Sequence, residues 1–108
     1  MNPKIIFEEK IARRFQENPD LGKEINAIYL FNITGIEGGT WSIDCTDQKS
    51  EVKSGSTDNP HCTITMADKD LVNLVQGTLN PQLAFMTGKL KVKGDLGLAL
   101  KLGKILKA

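Results

Sequence analysis

Three groups of side chains in this sequence are of a type that does chemistry. The first gathers at the single histidine: His61, with Cys62 beside it and Asp58 three residues earlier. A base next to a thiol, with a carboxylate to orient the ring, is what nucleophilic catalysis requires. The spacing works against it. His61 and Cys62 fall in an alternating, strand-like run, and neighbours in a strand project to opposite faces. The second group is the carboxylate pair Asp44 and Asp47, one on the outer face of a strand and the other in a turn, where carboxylates are ordinarily just solvated. The third is a lysine series. Lys89, Lys91 and Lys93 occupy one face of a strand, and Lys101, Lys104 and Lys107 follow in the last helix. Such a series suits phosphates, whether of lipid headgroups or of a coenzyme A ester; its plainer role is solubility. No nucleophile, base and orienting group can be assembled from these residues, so none is assigned a catalytic role.

Other signals narrow the field. Cys45 and Cys62 lie 17 positions apart with no C-x-x-C pair, and a lone histidine cannot complete a zinc site of the usual kind, so neither metal nor cofactor is expected. Both cysteines read as small buried hydrophobes in a reducing compartment, with a disulfide as the lesser alternative. The glycine-rich stretch 35–39 lacks the spacing and the following lysine of a phosphate-binding loop, and reads as a hairpin turn. The net charge of +1 exerts no general pull on polyanions, although residues 88–107 hold six lysines and one acid. Aromatic side chains are not interleaved with those lysines, which makes nucleic acid a poor partner. No secretory signal opens the chain and no run approaches the ~20 apolar residues of a membrane span, so the expected location is the cytoplasm.

These residues must be held by a fold. With 40% apolar and 25% charged residues, positions 1–108 read as one globular domain. Asn2-Pro3 marks a helix start, and Ile6, Phe7, Ile11, Ala12 and Phe15 recur at helical spacing until Asn18-Pro19-Asp20. Residues 25–34 form a central strand, partly covered on both sides, with Ile25, Ala27, Tyr29, Phe31 and Ile33 on one face. Residues 40–46 alternate, with Trp41, Ile43 and Cys45 inward and Ser42 and Asp44 toward water. The chain turns at 47–50, residues 51–55 make a short edge strand, and Cys62, Ile64 and Met66 mark a fourth strand that completes a meander. Asp68 caps a helix through Gln76 that carries Leu71, Leu74 and Val75 inward. Asn80-Pro81 opens a short helix with Leu83, Ala84, Phe85 and Met86. Leu90 and Val92 then alternate with lysines in a last strand, and a final helix runs from Asp95 to residue 107. This order makes an α+β fold, one mostly antiparallel sheet with helices gathered over one face.

The final helix carries more apolar surface than a small domain needs. Leu98, Ala99, Leu102, Ile105 and Leu106 form one face, and Leu96 and Leu100 widen it past half the circle. The excess must meet more protein, a lipid or a membrane. Gly97, Gly103, Met66 and Met86 suit a surface that adapts to a ligand. A protein-interaction or dimerisation module using this helix is the alternative to a lipid binder.

The run from His61 to Leu106 closely resembles the sterol carrier protein type 2 domain. The elements that carry the resemblance are CTITMAD (Cys62 to Asp68), NPQ-x-AF (Asn80 to Phe85), GKLK-x-x-G (Gly88 to Gly94) and GLA-x-KL (Gly97 to Leu102), in the family's order and at family-like spacing. Upstream, IYLFNI and TWSID are similar to its first two strands. The resemblance implies a five-stranded sheet, helices covering one face, and an apolar tunnel between them. It also implies a non-catalytic carrier of fatty acids, fatty acyl-CoA, phospholipids or sterols, moving them between membranes. The inward positions would supply the tunnel walls: Phe7, Ile11, Phe31, Ile33, Trp41, Ile43, Ile64, Leu71, Leu74, Val75, Phe85, Met86, Leu98, Leu102 and Leu106, some touching ligand and others plain core. Lys89, Lys91, Lys93, Lys101 and Lys104 would meet headgroups or a membrane surface in transient contact, the protein being a monomer or weak dimer. Many eukaryotic members end in a Ser-Lys-Leu-type peroxisomal signal. This chain ends Leu106-Lys107-Ala108, which again points to the cytoplasm, and to a domain standing alone where relatives are often fused to enzymes.

Overall fold

The computed structural model describes residues 1–47 and 49–106. Residues 3–17 are helical throughout, as α1 (Pro3–Ile5), a π-helical segment (Ile6–Ile11) and α2 (Ala12–Glu17). The Asn2 side chain accepts the Ile5 N–H at 2.9 Å, and Pro3 occupies the first turn, where a missing N–H costs nothing. The wider π turn is a departure from the plain helix that the apolar spacing predicts. It lets the consecutive residues Ile6 and Phe7 both reach full burial. Asn18, Pro19 and Asp20 end α2, as expected, but they also open α3 (Pro19–Ile25), which closes at Asn26 in the left-handed region. The first strand therefore starts at Ile28, and Ile25 packs inward from a helix instead of from the strand.

The strands are β1 (Ile28–Thr34), β2 (Gly39–Asp44), β3 (Glu51–Ser54), β4 (Cys62–Ala67) and β5 (Leu90–Gly94). Their spatial order is β3-β2-β1-β4-β5. The first three form the expected antiparallel meander. The fourth does not continue it: β4 crosses to the far side of β1 and pairs with it in parallel. β5 then returns antiparallel to β4, so the sheet is mixed, with three antiparallel ladders and one parallel. What local alternation could not reveal is which neighbour β4 chooses. Its burial on Cys62, Ile64 and Met66 is satisfied equally beside β1 or β3, but β1 offers the longer apolar partner. Register aligns three inward rows. Val52, Ile43, Tyr29 and Cys62 make one; Trp41, Phe31, Ile64 and Val92 the next; Ile33, Met66 and Leu90 the third. The outer face carries Leu30, Asn32, Thr63, Thr65, Lys91 and Lys93. Ser42, expected in water, is buried on that face between Leu30 and Lys53 in the register.

The 47–50 turn forms with Asp47 at φ 55° and Lys49 N–H bonded to Thr46 O, Gln48 lying outside the described residues. α4 (Asp68–Gln76) is capped by Ala67; Asp68 is its first residue, and its carboxylate instead accepts the Glu37 N–H at 3.1 Å from the β1–β2 hairpin. α5 (Pro81–Met86) follows. The last helix is two. α6 (Leu96–Leu100) and α7 (Leu102–Leu106) meet at Lys101, whose N–H bonds back to Leu98 O in a tighter turn. The break lets Leu98 and then Leu102, Ile105 and Leu106 all reach the core, which one straight helix over a twisted sheet would not permit.

One bond fixes this pair. Tyr29 Oη donates to Leu98 O at 2.6 Å, wholly buried, joining the centre of β1 to α6. Burial pushes the Tyr29 phenol well above its ordinary value of 10.0. The folded state therefore keeps a proton that the unfolded chain releases above pH ~10. The stability this group contributes is complete below that pH and is lost as pH rises past it. The sequence has one tyrosine, so tyrosinate absorbance reports this residue alone. It should stay flat in the folded protein past pH ~10 and rise only with unfolding. Tyr29→Phe should cost about 0.5–1.5 kcal/mol in chemical denaturation, because it removes a buried hydrogen bond and leaves the Leu98 carbonyl with the Lys101 N–H alone.

Candidate functional site

The space between the N-terminal helix and the sheet is filled. Phe7 stacks on Trp41 with centroids 4.9 Å apart and meets Phe31 at 5.0 Å, and Phe31 continues to Tyr29 at 5.8 Å. Trp41 Nε1 donates to Glu8 Oε2 at 3.1 Å, which satisfies the indole at the edge of this cluster. Phe7, Phe31, Ile33, Trp41, Ile43, Ile64, Leu71, Leu74, Leu98 and Leu102 all belong to this buried core. Ile11, Val75 and Leu106 border a small cavity of about 230 Å³ between the N-terminal helix, α4 and α7, whose polar side carries Lys10, Arg13, Arg14 and Glu17.

A larger groove, of about 690 Å³, opens between α5, the start of β5 and the α6–α7 pair. That volume is typical of sites for small organic ligands, ~300–1,000 Å³. Phe85 and Met86 line it, joined by Leu90, Leu96, Ala99, Leu100 and Gly103. Pro81, Asn80 and Gln82 complete it, and no charged side chain is among them. The local sequence dictates this arrangement. Asn80 Oδ1 accepts the Gln82 and Leu83 N–H groups at 2.8 and 3.3 Å and starts α5. Ala84, 1% exposed, is the residue on which α5 sits down, so Gln82, Phe85 and Met86 turn to the gap. Asp95 Oδ1 caps α6 through the Gly97 and Leu98 N–H groups at 2.8 and 3.3 Å. With Leu98 and Leu102 turned to the core, Leu96, Ala99, Leu100 and Gly103 are left facing the groove. Gly103 has nothing within 4 Å of where a Cβ would stand, so its place here is open space. The residues that the inward-face argument missed are Leu90, Leu96, Ala99, Leu100 and Gly103. For the four in the last two helices the signal was the excess arc of the predicted last helix, which a search confined to core-facing positions passes over; for Leu90 it was the alternation of the last strand.

The chemistry-bearing groups are occupied by structure. His61 Nδ1 accepts the Ile28 N–H at 3.0 Å, its own N–H donates to Ile28 O at 2.9 Å, and its carbonyl accepts from Asp95 N–H at 3.0 Å, so it ties β1, β4 and the end of β5 together. Gly94 at this junction has φ +102°, and a Cβ there would stand 2.5 Å from His61 O. Cys45 and Cys62 are free and buried, and burial pushes both thiols up to about 11, away from the reactive thiolate. Asp44 turns to its own loop, where the Thr46 hydroxyl and N–H donate to it at 2.5 and 2.8 Å and hold its carboxyl below the usual range. Among the described residues, no group of three or more His, Cys, Asp or Glu could hold a metal ion.

The lysines do not converge. Lys91 and Lys93 stand on the outer sheet face, opposite to the helices, and Lys89 is exposed at the start of that strand. Lys101 lies at the α6–α7 break, half-buried. Lys104 pairs with Glu24, and its carbonyl accepts Arg14 Nε at 2.6 Å, so it fastens α7 to α2 and α3. Lys107 lies outside the described residues. No helix among the described residues is long and apolar enough to cross a membrane.

A small α+β domain with helices on one sheet face and an apolar groove at one edge is the class that this geometry defines. The SCP-2 sterol transfer family model matches residues 8–107, and the chain belongs to that family. It is 42% identical over 101 residues to sterol carrier protein 2 of Rattus norvegicus, covering 91% of this chain and 18% of that one. To human hydroxysteroid dehydrogenase-like protein 2 it is 41% identical over 88 residues, covering 81% and 21%. The chain thus spans about a fifth of the length of these relatives. Among solved structures, palmitated SCP2L2 from Aedes aegypti superposes with a TM-score of 0.77 at 27% identity, covering 100% of this chain and 96% of that one. The sterol carrier protein domain 2 of Helicoverpa armigera gives 0.74 at 32%, covering 98% and 90%.

Two leucines of the last helices separate core from groove. Leu102 is 0% exposed and Leu100 70%. Leu102→Glu should lose several kcal/mol and fail to fold, since it buries an unpaired charge. Leu100→Glu should change stability by under ~0.5 kcal/mol. Thermal denaturation of the two variants side by side checks this.

Proposed function

We propose that this chain is a non-catalytic carrier of long-chain lipids. The observation that carries the reading is the groove: large, apolar, free of charged lining residues and walled by side chains that a self-contained domain would bury. The acyl or ring portion of a fatty acid, fatty acyl-CoA, phospholipid or sterol would lie along Phe85, Met86, Leu96 and Leu100. Asn80 and Gln82 are the lining groups available to an uncharged polar head, and an ionised head would remain at the mouth. The groove is the entry to the expected tunnel, which would deepen between α5, α6 and the sheet as ligand enters. Lys89 and Lys101, next in sequence to the lining residues Leu90 and Leu100, are the lysines suited to headgroup phosphates. Palmitate on the Aedes aegypti relative supports a fatty acid as one ligand. Two buried free thiols support a reducing location, the cytoplasm.

The energy scale agrees. Burying about fifteen methylenes contributes roughly 12 kcal/mol gross, at ~0.8 each. Association and ordering remove several kcal/mol of this, leaving an affinity near micromolar or somewhat better. Selectivity between chain lengths is weak, because an apolar wall distinguishes one methylene from the next by only ~1–3 kcal/mol. Exposed leucines on α6 would equally serve a dimer, which is the second reading.

Native mass spectrometry of freshly purified protein, with extraction and identification of what comes away, is the test. A lipid held near one per chain is expected. An empty monomer that also refuses a fluorescent fatty acid would end the carrier reading, and an empty dimer would favour the second. Leu100→Glu should weaken fatty acid binding by about tenfold or more, since it places a charge against the acyl chain, while leaving the melting curve in place.

A further inference from the structure

We infer that Gly103 sets the width of the groove, and that the space it leaves is what admits a lipid broader than a single acyl chain, a fused-ring sterol. This rests on the carrier reading and adds to it the residue that decides which cargo fits. Nine of the ten glycines in this chain have a reason within the protein itself. Five hold a positive φ that a side chain would strain, and four others would carry a Cβ to 3.0 Å or less from a neighbouring atom. Gly103 has neither reason. It lies in α7 (Leu102–Leu106) without a positive φ, so its helical backbone is open to any L residue, and a Cβ there would meet nothing among the described residues within 4 Å. Glycine loses more freedom on folding than any other residue, so it works against a helix only five residues long. Nothing inside the fold offsets that loss. The side chain that is missing would stand in the groove, which Gly103 lines.

The surroundings suit a cargo with breadth. The α5 side of the groove is built from the large side chains of Phe85 and Met86, whereas the α6–α7 side sets Ala99 and Gly103 among its leucines. These two are the smallest residues of the lining and stand on either side of the Lys101 break, so the wall is lowest where α6 gives way to α7. A single acyl chain is narrow and bends around an obstacle. A fused-ring nucleus is rigid and broader, and needs a wall that recedes. Leucine at 103 would give a narrow chain more apolar surface to touch and would clash with a rigid ring system. The lining carries no charge, and the single hydroxyl of a sterol requires none; Asn80 and Gln82 are the groups it would meet.

Fluorescence titration with cis-parinarate, a straight-chain fatty acid, and with dehydroergosterol, a sterol, tests this on the wild type, Gly103→Ala and Gly103→Leu, with melting curves beside them. The wild type should bind both probes. Gly103→Leu should lose sterol affinity by about tenfold or more and keep fatty acid affinity within about threefold. Gly103→Ala should weaken sterol binding by a smaller factor. It should also raise the melting temperature by about 2–6 °C, since the helical backbone accepts a Cβ and the unfolded chain loses freedom. A more stable protein that holds less sterol is a result that a purely structural glycine would not give. Undiminished sterol binding by a folded Gly103→Leu, or equal loss of both probes, would overturn the inference, as would a melting temperature lowered by Gly103→Ala. So would a wild type that takes fatty acid and refuses sterol, an outcome that leaves the carrier reading standing. A wild type that binds neither probe would sink the carrier reading and this inference with it.

Discussion

The buried bond from Tyr29 to the Leu98 carbonyl is the constraint on which the rest of the arrangement depends. It spans from the middle of the central strand to a helix that arrives sixty-nine residues later. α6 and α7 are each only five residues long, far too short to be stable alone. They hold their place because Leu98 and Leu102 are buried and because one carbonyl of α6 is committed to the sheet. That commitment also decides which side of α6 is left over. Once Leu98 points down, Leu96 and Leu100 cannot, and the groove wall is a consequence of the anchor. A polar interaction at the core thus orients an apolar surface at the rim.

Much of the fold was legible in the sequence. Asn2-Pro3, Asn80-Pro81 and Asp95 each cap a helix where the residue types say they should, and the alternation at 62–66 and 90–92 gives both the strands and their faces. Pairing was less legible. Alternation specifies a face and not a neighbour, so β4 passed for the next strand of a meander although it pairs in parallel with β1. Asn18-Pro19-Asp20 reads as a stop because a proline ends one helix and begins another with the same local signature. The break at Lys101 has no proline or glycine at its own position, and follows from the demand that leucines four apart both reach a twisted sheet.

The groove was legible in kind and not in detail. Too many leucines for one helix face signalled an unpartnered surface. The inward-face rule names positions such as Phe31 and Ile64, which are buried against protein, together with Phe85 and Met86, which line the groove, because periodicity alone does not separate the two. The groove adds to Phe85, Met86 and Leu90 the side chains at the edge of the helical stripe, Leu96 and Leu100. The lysines illustrate the same limit: neighbours along the chain, Lys91 and Lys101 nevertheless lie on different sides of the sheet.

The parallel pairing of β1 with β4 carries a consequence for the order of events as the chain is made. β1, β2 and β3 can zip locally through short turns, but the second half of the sheet must wait for a strand some thirty residues on to find β1. Every residue of the groove lies later still, beyond residue 79. A nascent chain therefore lays out the first four strands before it possesses the groove, and the groove residues arrive together with the last core residues, Leu98, Leu102, Ile105 and Leu106.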